Sequence, residues 1–122
     1  MSDYIKIEVK ELLDWYGKGP DGCIASDKIT KEGWKVSYMF REEPTPGFPD
    51  SGWCFLAGNE DDDYMNNADN HHPFALNTIC NYDPDIIPYL DSPVGTAYIR
   101  VSSDKFEIDD RSKEIFLQKQ NR

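Results

Sequence analysis

Four consecutive acids, Glu60-Asp61-Asp62-Asp63, followed by Tyr64, form the densest group of potential ligands in the chain. Carboxylate oxygens suit calcium or magnesium. The spacing argues against such a site, because a calcium loop alternates its ligands around a sharp-turn glycine, whereas successive carboxylates on a helix point in different directions. His71-His72 would need distant partners to hold zinc, and no two of Cys23, Cys54 and Cys80 stand at CxxC spacing. Each cysteine neighbours an apolar residue (Ile24, Phe55, Ile79), a setting for buried thiols with raised pKa rather than for nucleophiles. Ser51 lacks the leading glycine of a GxSxG elbow, and Gly17, Gly19 and Gly22 do not follow a predicted strand as a dinucleotide loop requires. The residue types therefore assign no catalytic residue, no metal site and no cofactor. They lead to the expectation of a binding protein and not an enzyme.

The acids do offer a charged surface. Lys plus Arg number 13 against 23 Asp plus Glu, a formal charge of −10, which opposes nucleic acid and anionic membrane and steers a basic partner inward. The same acidity also favours solubility. The expected partner surface comprises Arg41, Glu42, Glu43, Trp53, Glu60, Asp61, Asp62, Asp63 and Tyr64, around the mouth between the central strands and a proline-rich loop. A different class of function, a small-ligand or regulatory domain, would use a pocket lined by Trp34, Tyr38, Trp53 and Tyr98.

These residues need elements to position them. At 122 residues the chain fits a single domain that buries about two thirds of its unfolded surface. Ile5, Val9, Leu12, Leu13 and Tyr16 recur at helical spacing and predict an amphipathic N-terminal helix stopped by Gly17-Lys18-Gly19-Pro20. A short strand is expected at 22–26, a polar connection at 27–33, and a strand at 34–41 with Trp34, Val36, Tyr38 and Phe40 inward. Pro44, Pro46 and Pro49 make 42–50 a loop. Trp53 to Ala57 reads as a central strand pairing antiparallel with Val36 to Phe40. Glu60 to Asp63 opens a helix, 67–73 forms a turn, and Ala75 to Asn81 forms a second short helix. Asp83-Pro84-Asp85 starts a single turn that Pro88 interrupts, and Thr96 to Val101 is a strand. In the tail, Phe106 to Ile108 pairs with Glu114 to Leu117 as a hairpin, or Ser112 begins a terminal helix. The fold class is α+β: a small single domain with a largely antiparallel sheet, an N-terminal amphipathic helix and short helices after the central strands. It divides into an N-terminal helix extension (1–21), a core (22–101) and a tail (102–122). Three cysteines, no basic leader after Met1 and no apolar run near the ~20 residues of a membrane span lead to the expectation of a cytoplasmic protein.

Six ordered residue groups go further than any single motif. They are Ser26-Asp27-Lys28 with Lys31-Glu32-Gly33, Val36 to Pro44, Asp50-Ser51-Gly52-Trp53 running to Gly58-Asn59-Glu60-Asp61, Leu76-Asn77-Thr78, Asn81-Tyr82-Asp83-Pro84, and Leu90 to Ala97. Together they resemble the bacterial domain-of-unknown-function family 2185, also called immunity protein 33, over about residues 22 to 101. The resemblance implies a small bacterial α+β protein that binds and neutralises a cognate toxin of a polymorphic or contact-dependent system. It brings no catalytic residues to carry across. The candidate partner becomes a cognate, basic protein toxin.

Overall fold

The computed structural model describes residues 3–109. Its centre is a six-stranded sheet in the order β4-β1-β3-β2-β5-β6, built from β1 (Gly22–Ser26), β2 (Tyr38–Arg41), β3 (Asp50–Leu56), β4 (His71–Ala75), β5 (Ala97–Arg100) and β6 (Phe106–Ile108). β1 and β3 run parallel, and the other pairings are antiparallel. The expected β2–β3 pairing forms, with Met39 opposite Phe55 and Phe40 opposite Cys54.

One face of the sheet carries the core. Cys23, Ala25, Met39, Trp53 and Phe55 are buried there, packed with Leu76, Ile79 and Cys80 from α3 (Leu76–Tyr82) and with Ile86 and Leu90 from and beside the 3-10 helix Pro84–Tyr89. Trp53 and Phe55 stack with ring centroids 6.0 Å apart, and the Trp53 indole N–H donates to the Leu90 carbonyl at 3.0 Å. Truncating either ring would cost about 3–5 kcal/mol, because burial and the resulting cavity both count.

A buried clamp ties the second half of the chain to the first. Asp83, 1% exposed, accepts from the Val36 amide (2.9 Å), the Arg100 guanidinium (2.7 Å) and the Asp85 amide (3.1 Å). Arg100 also donates to Asp85 Oδ2 (2.9 Å) and to the carbonyls of Val36 and Ser103, and its guanidinium lies 4.6 Å from the Phe106 ring centroid. Asp83 caps the 3-10 helix as its sequence context predicts, but Pro88 sits inside that helix instead of ending it.

Several expectations are corrected. Residues 3–15 form no helix; they run as an irregular strap across α3. Asn77 Oδ1 accepts from the amides of Leu12 and Leu13, Asn81 Oδ1 accepts from the Lys10 amide, and both side-chain amides donate to the Lys10 carbonyl. Ile5 bonds to the Thr30 carbonyl through its amide and to the Tyr82 hydroxyl through its carbonyl. A short isolated helix is marginal, and these partners satisfy the backbone without one. The supposed apolar stripe accordingly stays open, with Val9 54% and Leu12 41% exposed, while Leu13 and Trp15 pack on the core.

β2 is shorter than expected and faces the other way. The Val36 amide bonds to Asp83 and not to a strand, so the alternation that began at Trp34 loses its phase before Tyr38. Met39 is fully buried and Trp34 is 51% exposed. The connection after β1 contains a helical turn, α1 (Asp27–Thr30), and His71-His72 lie in β4 and not in a turn. β6 pairs with β5, whereas the strand or helix expected after residue 109 lies outside the described residues.

Candidate functional site

Each end of β3 is fastened by a carboxylate. At its start, Asp50 accepts from the amides of Gly52 and Thr45, both at 2.8 Å, and Ser51 Oγ accepts from the Trp53 amide at 3.2 Å. Gly52 takes φ +93°, and a side chain there would collide with the Glu42 carbonyl. The β1–β3 register slips at this point, from Gly22 opposite Asp50 to Ile24 opposite Cys54. Asp50-Ser51-Gly52-Trp53 is thus an irregularity that swings the proline loop against β1, and Gly22 has no Cβ because the Pro49 carbonyl occupies its place.

At the far end of β3, the two Glu60 oxygens accept from the amides of Ala57 and Gly58, both at 2.8 Å. Burial pushes the Glu60 carboxyl upward, but those amides and the Ser26 hydroxyl outweigh it and hold the pKa below its ordinary value. Asp61 caps α2 (Asp62–Asn66) by accepting from the Tyr64 amide at 2.8 Å. Asp62 and Asp63 follow in the first turn and are exposed. Tyr64 is half-buried, with its ring edge on His71 and the Lys28 ammonium 5.1 Å from its centroid.

The residues expected around one mouth are thereby divided. Glu42 and Glu43 are exposed near the start of β3, where the Glu42 amide bonds to the Gly52 carbonyl. Asp62 and Asp63 lie beyond its other end, so several strand rises of about 3.3 Å separate the two groups. Arg41 is held by the carbonyls of Ser51 and Ser92, both at 2.9 Å, and lies over Trp15 and Trp53. Trp53 is fully buried, which makes it framework and removes it from any surface. Of the four aromatic residues expected to share a pocket, only Tyr38 lines the hollow beside the acids; Tyr98 is paired through its hydroxyl with Ser92, 2.6 Å away.

Concavities on the described residues include two that bear on the site. One, of about 530 Å³, lies beside α2 and is lined by Tyr38, Leu56, Glu60, Met65 and Ile99 among others. The other, of about 660 Å³, lies where β1 and β4 meet the proline loop. Sequence reasoning missed the second, because it forms from β4 and from a loop whose position depends on the β3 irregularity. It also missed the amides of Asn77 and Asn81, although their spacing of four on a predicted helix placed them on one face.

The thiols lie in apolar surroundings. Burial pushes the Cys54 thiol up to about 12 and Cys80 up to about 11, and it raises Cys23 well above its ordinary value. All three cysteines are free. His72 Nδ1 contacts Asp27 Oδ1 at 2.7 Å, and Tyr4 packs edge-on against its ring. Among the described residues no group of three or more His, Cys, Asp or Glu side chains converges as metal ligands, and no helix is long and apolar enough to cross a membrane.

A family model described as the Immunity protein Imm33 domain matches residues 23–109. The match covers α2 and the hollow beside it, α3, the Asp83 clamp and all of the second concavity's lining except Asp21 and Gly22, and it leaves the N-terminal strap outside. No curated protein and no solved structure gives a significant match.

Proposed function

The chain belongs to the Imm33 immunity protein family, and from that membership we propose that it neutralises a cognate toxin by binding it stoichiometrically, without chemistry of its own. The family match over residues 23–109 is the observation that carries this reading. The surface that fits it best is the exposed first turn of α2, where Asp62 and Asp63 stand beside the hollow containing Tyr38, Met65 and Ile99. A toxin domain with a basic patch is attracted by the net charge of −10 and oriented by this edge. Glu60 and Asp61 support the edge as local caps and Tyr64 supports it as a packing residue, while Arg41, Glu42 and Glu43 lie at the opposite end of β3 and add charge there.

The test is growth rescue on co-expression with whatever toxic gene is encoded beside this one, followed by kinetics on the purified pair. Asp62→Lys with Asp63→Lys should lower the association rate by about tenfold at low salt and change the dissociation rate by less than about twofold. An association rate indifferent to both the reversal and the salt concentration refutes the edge. Toxicity undiminished by co-expression, with no complex in solution, refutes the toxin-binding reading itself.

A further inference from the structure

The 660 Å³ groove between β1, β4 and the proline loop has walls of one kind and a rim of another. Ile24, Phe48, Pro73 and Phe74 make it apolar, and Phe48 is 68% exposed at the tip of the loop. Among the described residues, the charged ones that line it, Asp21 and Asp50, are both acids, and no lysine, arginine or histidine lines it. Asp50 is fixed by the amides of Thr45 and Gly52, which hold its carboxyl below the ordinary range although burial pushes the other way. It therefore stays ionised at neutral pH, in a fixed position beside apolar walls.

This combination selects an occupant. Anionic ligands, nucleic acid and anionic membrane are opposed by the carboxylates. A polar small molecule would need convergent donors, and the lining offers chiefly acceptors and hydrocarbon. A bulky apolar side chain with a cation next to it satisfies both parts, filling the walls and placing positive charge against the rim. We propose that this groove is the anchor pocket for the toxin, receiving an aromatic or large aliphatic side chain flanked by lysine or arginine. The proposal rests on the toxin-binding reading for its partner, but the pocket is some distance from Asp62 and Asp63 and has a separate role. The acidic edge governs the rate of encounter, and the pocket governs how long the complex lasts.

Short capped peptides test the pocket on the full-length protein without any toxin. An isotope-labelled sample is titrated with a phenylalanine–lysine peptide, with its phenylalanine–glutamate counterpart, and with a glycine–lysine control. The basic aromatic peptide should shift the amide signals of Ile24, Phe48 and Phe74 saturably, with a Kd on the order of millimolar. The acidic counterpart should bind about tenfold more weakly, and the control should leave these signals unmoved. Phe48→Ala should weaken the basic aromatic peptide about tenfold, and Asp21→Lys about threefold in a salt-sensitive way. Both side chains are exposed, so neither variant should disturb folding. No saturable shift at the groove, or equal binding of the acidic and basic aromatic peptides, overturns the proposal. Peptide binding with failed growth rescue supports the pocket and refutes only the toxin reading; rescue without peptide binding refutes only the pocket.

Discussion

Replacing Asp83 by alanine removes three hydrogen bonds from a carboxylate that is 1% exposed. The Val36 amide, fully buried, would have no acceptor, at a cost of about 1–3 kcal/mol. The 3-10 helix would lose its cap, worth about 1 kcal/mol. Arg100 would be left with one carboxylate in place of two, and breaking a buried pair commonly costs about 3–5 kcal/mol. These contributions overlap and do not add. Arg100 keeps Asp85 and two backbone carbonyls, which places the total at about 3–4 kcal/mol, toward the lower part of that range. Urea unfolding followed by tryptophan fluorescence should give this loss with an unchanged slope, since the area exposed on unfolding stays the same. Asp83→Asn keeps the shape and should cost about half as much, and Asp85→Asn, at a wetter position that also holds Lys35, should cost under about 1 kcal/mol. An Asp83→Ala loss below about 1 kcal/mol at constant slope would refute the clamp as a tie between the two halves of the chain.

Two further outcomes follow from the ionisable groups. Asp85 is held below its ordinary pKa by Arg100, and Asp50 and Glu60 by backbone amides that outweigh burial. Depressed carboxylates stabilise the fold above their unfolded values, about 3.9 for Asp and 4.3 for Glu, and that stability is lost as pH falls through the folded values. The urea midpoint should therefore be insensitive to these groups above about pH 5 and drop below about pH 4, with a shallower drop in Glu60→Gln; a profile that Glu60→Gln leaves unchanged would contradict its capping role. The raised thiol pKa values predict that Cys23, Cys54 and Cys80 react with a disulfide reagent at pH 7.5 far more slowly in the native protein than in urea, and rapid native labelling of the buried Cys23 and Cys80 would contradict this.

Much of the fold could be read where local pattern and tertiary packing agree. Trp53 and Phe55 are apolar because the helical layer covers their face of the central strand, whereas Cys54 and Leu56 on the other face are half-buried, and Asp61 and Asp83 cap because their side chains act on their own backbone. The N-terminal segment was misread because helical spacing carries no information about whether another surface will supply the backbone's partners; Asn77 and Asn81 do so from more than sixty residues away. The inversion of β2 is likewise set by distant partners: Val36 is buried with its amide on Asp83, and Met39, three residues on and not four, takes the next buried position opposite Phe55. At the candidate site the acids were visible but their division of labour was not. Only the positions of the Ala57, Gly58 and Tyr64 amides separate Glu60 and Asp61, which are engaged, from Asp62 and Asp63, which face solvent.

Where the strap crosses α3 at Lys10, it is gripped through its peptide groups, while Tyr4, Leu13 and Trp15 anchor it by their side chains on either side. Every residue except proline presents the same N–H and C=O at position 10, so Lys10 can be exchanged for almost any other residue while the grip of Asn81 and Asn77 persists. The reverse does not hold, because replacing Asn77 releases contacts at positions 10, 12 and 13 together, and replacing Asn81 releases both peptide groups of position 10. Tolerance to mutation is therefore lopsided across this contact: position 10 can vary, and the two residues that hold it cannot.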